Sequence, residues 1–278
     1  MESLVTTSAL AGWLSSPDLV VLDATWYMPG DARNARELYV AARIPGARFF
    51  DVDQIADRHT ALPHMVPSPE LFAQQVGALG VSNASRVVCY DQHGLMSAPR
   101  ARWMFRLYGH DRVAVLDGGL PRWRAEGRAL DSGSPAPVAP AVFRSAFRAG
   151  LLRGLGDLRD NLRSGRELVL DARSADRFHA RVPEPRAGLR RGHVPGARNL
   201  PFGELLTAQQ TLLSPAALRA RFAAAGVDEG SAVVTSCGSG LTAAVLNLAL
   251  AVAGLPEGAL YDGSWAEWGG REDMPVET

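Results

Sequence analysis

Four short anchors occur twice along the chain, in the same order and at a nearly constant offset. This duplication limits the possible folds more than any other feature. Val21-Leu22-Asp23-Ala24-Thr25 returns as Val169-Leu170-Asp171-Ala172-Arg173, and Ile44-Pro45-Gly46-Ala47-Arg48 returns as Val194-Pro195-Gly196-Ala197-Arg198. Val87-Val88-Cys89-Tyr90-Asp91 lies over Val233-Val234-Thr235-Ser236-Cys237, and Leu116-Asp117-Gly118-Gly119 lies over Tyr261-Asp262-Gly263-Ser264. That spacing is too long for a solenoid unit and fits a duplicated domain. A chain of 278 residues is also long enough for two cores. Between the halves, Asp131 to Pro140 is rich in Pro, Ser and Ala without periodicity, so it reads as a linker. The expected organisation is a first domain over 1–130, a linker over 131–146 and a second domain over 147–278.

Within each half, short apolar runs alternate with helical segments. Leu19 to Leu22, Val87 to Tyr90, Val113 to Leu116, Glu167 to Leu170 and Ala232 to Ser236 read as strands. Pro69 to Leu79, Ala98 to Leu107, Pro215 to Ala225 and Thr242 to Ala253 read as helices. Ser68 and Ser214 each precede a proline, which suits an N-cap followed by proline at the first helical position. The alternation predicts an α/β fold, with one mostly parallel sheet per half and helices on both faces. In such sheets ligands sit beyond the carboxyl ends of the strands, and Cys237 falls at such an end.

Charge and cysteine usage narrow the function. Lys+Arg and Asp+Glu are both 29, so no net field draws the chain to nucleic acid or to an anionic membrane. No lysine occurs, which removes Schiff-base lysines and a phosphate-loop lysine. Any anion held by side-chain charge is therefore held by arginine, the better fork for a carboxylate. Cys89 and Cys237 are too few for a disulfide framework, and no stretch reaches the ~20 apolar residues of a membrane span. A reducing cytoplasm is the expected compartment.

The turn Cys237-Gly238-Ser239-Gly240-Leu241-Thr242 joins a strand to a helix. A glycine-containing loop lets successive N–H groups face one point, and the following helix aims its positive end there. A cysteine so placed is expected to form a thiolate and act as a nucleophile. A buried core cysteine that happens to precede a helix is the competing reading.

With these residues in view, the chain resembles the tandem rhodanese-type sulfurtransferases over essentially its whole length. Arg191-Gly192-His193-Val194-Pro195-Gly196-Ala197-Arg198 is similar to the family's first signature, and Asp262-Gly263-Ser264-Trp265-Ala266-Glu267-Trp268 to its C-terminal one. The resemblance implies two rhodanese-like domains, with the cysteine in the second and an inactive first copy. Asp91 at the position of Cys237 agrees with that, and Cys89 reads as structural. The uncharged loop Gly238, Ser239, Gly240, Leu241, Thr242 looks like that of the 3-mercaptopyruvate sulfurtransferases, with Leu241 where valine is usual. Thiosulfate-type relatives carry cationic side chains in the loop. Position 243 is Ala and no arginine follows nearby, unlike the related cell-cycle phosphatases.

The resemblance further implies that Arg177 and Arg186, nine residues apart and ending in Pro-Glu-Pro-Arg, bind the donor's carboxylate and keto oxygen. It implies a trio of Ser239, His64 and Asp53, the latter two reaching across from the first domain to deliver a proton. The alternative for this set is that Ser239 only hydrogen-bonds the persulfide while His64 is a satisfied surface residue. The chemistry this resemblance implies is transfer of sulfur from 3-mercaptopyruvate through a Cys237 persulfide to cyanide or a thiol such as thioredoxin or glutathione, with release of pyruvate and without metal or organic cofactor. Thiosulfate as donor and a non-catalytic persulfide carrier are the alternatives. His193 reads as fixing its turn, Asp171 as an ion pair with Arg173, and Trp265 and Trp268 as core or cleft wall.

Overall fold

The structure is a computed structural model that describes residues 1–278. Each repeat builds one five-stranded sheet in which every pairing is parallel. In the first, β1 (Leu4–Val5), β2 (Leu19–Asp23), β3 (Arg48–Phe49), β4 (Arg86–Tyr90) and β5 (Val113–Leu116) lie in the order β1-β5-β4-β2-β3. The helices are α1 (Thr7–Trp13), α2 (Ala35–Ala41), α3 (Pro69–Ala78), α4 (Ala98–Leu107) and α5 (Gly119–Ala125). The second has β6 (Leu152–Arg153), β7 (Leu168–Asp171), β8 (Arg198–Asn199), β9 (Val233–Ser236) and β10 (Ala259–Tyr261), in the order β6-β10-β9-β7-β8. Its helices are α6 (Leu155–Ser164), α7 (Ala175–Phe178), α8 (Pro215–Ala224), α9 (Ala243–Val252) and α10 (Ser264–Trp268). Strand for strand, the second order repeats the first, as the duplicated anchors require.

The central strands β4 and β9 are buried because helices cover both faces of a parallel sheet. Every residue of β9 is buried, and so is every residue of β4 after Arg86. The helix after each central strand is buried accordingly: α4 over nine of its ten residues, α9 from Ala243 to Leu250. Such all-round burial accounts for α9's apolar sequence, interrupted only by Asn247, which donates to Thr235 Oγ1. Helices α3 and α8 start as their sequences indicate, with Ser68 Oγ accepting from Leu71 N (3.2 Å) and Ser214 Oγ from Ala217 N (3.3 Å). Predicted and observed helix ends differ by one residue where they differ. No helix is long and apolar enough to cross a membrane.

The chain divides into two compact units that do not follow a single cut. One contains residues 1–57, 66–148 and 208–212; the other contains 58–65, 149–207 and 213–278. The proline-rich stretch after Asp131 packs within the first unit. Arg43 pairs with Asp131 through the backbone, Ala141 N donates to Gly77 O, and Phe143 enters the ring cluster of Phe72, Phe105 and His110. The segment 58–65, which includes His64, belongs to the unit that carries Cys237.

The repeats differ where β2 and β7 end. Asp171 is buried and held by Arg173, whose Nη2 lies 2.6 Å from the carboxylate. Its counterpart Asp23 is equally buried but meets Thr25 and Gln92 instead. Without a guanidinium, burial dominates and pushes the Asp23 pKa up to about 6 against those hydrogen bonds. The folded pKa exceeds the ordinary 3.8, so the protonated acid's contribution is complete below about pH 4 and lost as pH rises through about 6. Above that, a buried charge costs on the order of 3 kcal/mol. Asp23→Asn should raise the unfolding temperature at about pH 7.5 while leaving it nearly unchanged at about pH 4. Equal shifts at both values would show that Asp23 does not titrate in this range.

Candidate active site

Cys237 immediately follows β9 and is 2% exposed; Gly238 to Leu241 are buried and Thr242 is half-buried. The loop's amide groups divide into two sets. Cys237 N (3.2 Å) and Gly240 N (3.0 Å) both donate to Ser264 Oγ, whose hydroxyl donates to Tyr261 O at 2.8 Å. The amides of Gly238, Ser239, Leu241 and Thr242 have no acceptor within the protein. Unpaired buried N–H groups are rare and cost about 1–3 kcal/mol each, so a run of them marks a place for an anion. The N-terminus of α9, a ten-residue helix, adds its positive end.

The first repeat supplies the comparison. Asp91, at the position of Cys237, is fully buried, and its own carboxylate fills the corresponding turn. Oδ2 accepts from Met96 N (2.9 Å), Ser97 N (2.8 Å) and Ala98 N (2.9 Å), and Oδ1 accepts from His93 N (2.9 Å). The backbone around it is repeated as well: Leu120 N donates to Asp91 O and Trp265 N to Cys237 O, both at 3.0 Å. One copy of the turn thus carries a built-in anion, and the other carries a sulfur with its amides unengaged.

Ser264 holds this geometry at a cost. Its φ is +48°, close to the +52° of Gly119 in the first repeat, where a Cβ would collide with Asp91 O. A non-glycine residue there is strained by about 1–3 kcal/mol, and the three hydrogen bonds of its hydroxyl account for its presence. Sequence reading placed Ser264 in a signature without giving it a role, since a left-handed serine has no local mark.

The two predicted arginines follow β7, Arg177 in the short helix α7 and Arg186 in the loop after it. Arg177 lies against the Cys237 loop so closely that a Cβ on Gly238 would sit 2.9 Å from its Nη2. Hence position 238 admits only glycine while Arg177 stays in place. Arg177 pairs with Glu184 (2.5 Å), and Glu184 also pairs with Arg173 (2.8 Å). Sequence reading passed over Glu184; an acid between two prolines and two arginines was the available signal. Arg186 is half-buried in the same loop. Arg181 points to solvent, 64% exposed, and pairs with Asp176.

Of the predicted trio, the structure brings His64 and Ser239 together. His64 Nδ1 lies 3.1 Å from Ser239 Oγ and 3.2 Å from Ser239 O. His64 is 6% exposed with φ +62°, which removes the alternative of a surface histidine. A buried histidine held in the left-handed region is a constrained one. Asp53 accepts from Trp26 Nε1 at 3.1 Å through both carboxylate oxygens.

Several residues outside the loop sit as their types suggest. His193 Nδ1 lies 2.9 Å from Phe178 O, and its ring stacks on Phe178. Trp265 and Trp268 are buried. Cys89 is fully buried within β4, and burial pushes its thiol pKa up, away from reactivity.

Two copies of one parallel-sheet unit, the second presenting a cysteine at the strand-to-helix turn, define a duplicated scaffold for thiol chemistry. The chain belongs to the rhodanese-like domain family, whose profile matches residues 10–126 and again 155–271. It is 40% identical over 297 residues to the mitochondrial thiosulfate/3-mercaptopyruvate sulfurtransferase 1 of Arabidopsis thaliana, covering 100% of this chain and 78% of that protein. It is 42% identical over 273 residues to human 3-mercaptopyruvate sulfurtransferase, covering 96% and 92%. Among solved structures, SseA of Escherichia coli, described as a 3-mercaptopyruvate sulfotransferase, superposes with a TM-score of 0.86 at 38% identity, over 95% of this chain and 99% of that one.

Ser264→Ala would remove the hydroxyl that accepts from the amides of Cys237 and Gly240 and donates to Tyr261 O. It should lower the unfolding free energy by about 1–3 kcal/mol in urea denaturation. A loss below about 0.5 kcal/mol would show that the hydroxyl does not brace the loop.

Proposed function

We propose that the protein is a sulfurtransferase that takes sulfur from 3-mercaptopyruvate onto Cys237 and passes it to a thiol or to cyanide. The observation that carries this reading is the buried Cys237 turn: four of its amides stay unengaged, whereas in the matching turn of the first repeat the Asp91 carboxylate accepts four amide hydrogen bonds. The names of the relatives support the reaction class.

In the first half-reaction the Cys237 thiolate attacks the donor's sulfur. An S–S bond forms, the donor's C–S bond breaks, and its electron pair passes to carbon as the enolate of pyruvate. Protonation of that carbon releases pyruvate and leaves the outer sulfur on Cys237 as a persulfide, which the amides of Gly238, Ser239, Leu241 and Thr242 stabilise without reorganising. An acceptor thiolate or cyanide then attacks the outer sulfur and returns the Cys237 thiolate. The steps balance without an external redox partner.

The donor offers little to grip except a carboxylate and a carbonyl. Arg177 against the loop, and Arg186 beyond it, provide guanidinium groups suited to both. His64 beside Ser239 Oγ forms a proton route to the leaving enolate. Thioredoxin or glutathione suits the acceptor step, and the cytoplasm provides the reducing conditions that keep Cys237 free.

Intact-mass measurement after exposure to 3-mercaptopyruvate without acceptor should show one added sulfur. Cys237→Ser should remove both that sulfur and the release of pyruvate. Pyruvate release that survives Cys237→Ser would contradict the reading.

A further inference from the structure

Beside the Cys237 loop runs a buried row of alternating charges in which Glu184 occupies the third place. Asp171, Arg173, Glu184 and Arg177 follow one another through ion pairs of 2.6, 2.8 and 2.5 Å, with side-chain exposures of 3%, 0%, 1% and 20%. The Arg173 guanidinium also lies over the Trp265 ring, 4.4 Å from its centroid. Two acids and two bases cancel, so the row brings no net charge to the loop. The loop has none of its own, since Gly238, Ser239, Gly240, Leu241 and Thr242 are uncharged.

Glu184 also determines which face of Arg177 is available. Arg177 Nε (3.3 Å) and Nη2 (2.5 Å) both turn toward the Glu184 carboxylate, so that edge of the guanidinium is committed within the protein. The Nη2 atom is also the one pressed against Gly238. An incoming anion is therefore offered the Nη1 side of Arg177, with much of its charge already balanced. Glu184 is nearly fully buried, so solvent screens its influence little.

We infer that Glu184 is a specificity-determining residue of the donor site: its carboxylate, held between Arg173 and Arg177, suits the site to a donor with one negative charge, an α-keto acid, over a dianion such as thiosulfate. The inference rests on the donor site proposed above. A dianion responds about twice as strongly as a monoanion to each unit of charge nearby. Removing the negative charge of Glu184 therefore favours the dianion more, whatever the change in absolute rate. Glu184 acts through Arg177 and is a positioning residue rather than a catalytic one.

The test compares kcat/KM for thiosulfate and for 3-mercaptopyruvate in the wild type, Glu184→Gln and Glu184→Asp. Glu184→Gln keeps an oxygen acceptor for the arginines while removing the charge. It should raise the thiosulfate-to-mercaptopyruvate ratio about tenfold, chiefly through a lower KM for thiosulfate, and added salt should shrink the gain. Glu184→Asp keeps the charge but shortens the reach. It should lower kcat/KM for both donors and leave their ratio within about twofold. An unchanged ratio in Glu184→Gln would overturn the inference, as would an equal ratio change in Glu184→Asp. Should Glu184→Gln fail to fold, Arg173→Gln provides the second arm, since it removes a positive charge from the row without touching the donor's proposed guanidinium. With Glu184 retained it must shift the ratio toward mercaptopyruvate, and no shift would refute the inference. Persulfide mass in the wild type reads the proposed reaction separately: its absence sinks the reaction, whereas its presence with an unmoved ratio sinks only the role of Glu184.

Discussion

The structure depends on what the amide groups at the end of a central parallel strand are given to bind. A chain leaving β4 or β9 turns into a buried helix, and the turn carries N–H groups that neither strand nor helix can pair. In the first repeat, Asp91 satisfies them from within by accepting four amide hydrogen bonds. Charge-assisted bonds of this kind are worth about 1.5–3 kcal/mol each, so a carboxylate there is a strong local anchor. In the second repeat Cys237 stands in its place and brings no carboxylate. The same turn that makes the first copy self-contained makes the second receptive to an anionic sulfur.

The surroundings of Cys237 keep that turn from collapsing onto another partner. Ser264 draws off the amides of Cys237 and Gly240, and the backbone of α10 ties down the carbonyls of Cys237 and Gly238 through Trp265 N and Ala266 N. Arg177 closes over Gly238 and is itself held by Glu184. The opposite face of Ser239 meets His64. Each contact made to the loop itself joins parts of the chain far apart in sequence. The loop's conformation is therefore a property of the folded unit and not of its six residues.

Much of the architecture was legible before any coordinates. The paired anchors foretold two sheets of one topology, because identical strand ends and turns specify identical crossovers. Ser68 and Ser214 marked the starts of α3 and α8 through cap chemistry that acts over three residues. Legibility ended where contacts depend on the fold. The grouping of His64 with the unit of Cys237 rests on the path of segment 58–65, which has no signature of its own. Ser264's left-handed backbone and Glu184's burial between two arginines were hidden for the same reason, since serine and glutamate usually lie at the surface. Even in the recognised row of charges, only the pair Asp171–Arg173 was close enough in sequence to be foreseen.

The central claim is that the unengaged amides of the Cys237 turn exist to hold a transferred sulfur. A high-resolution crystal structure of the sulfur-loaded protein tests it most directly. The account predicts the outer sulfur beyond Cys237 Sγ, within hydrogen-bonding reach of the amides of Gly238, Ser239, Leu241 and Thr242. An outer sulfur pointing away from them, toward solvent or against apolar side chains, would contradict it.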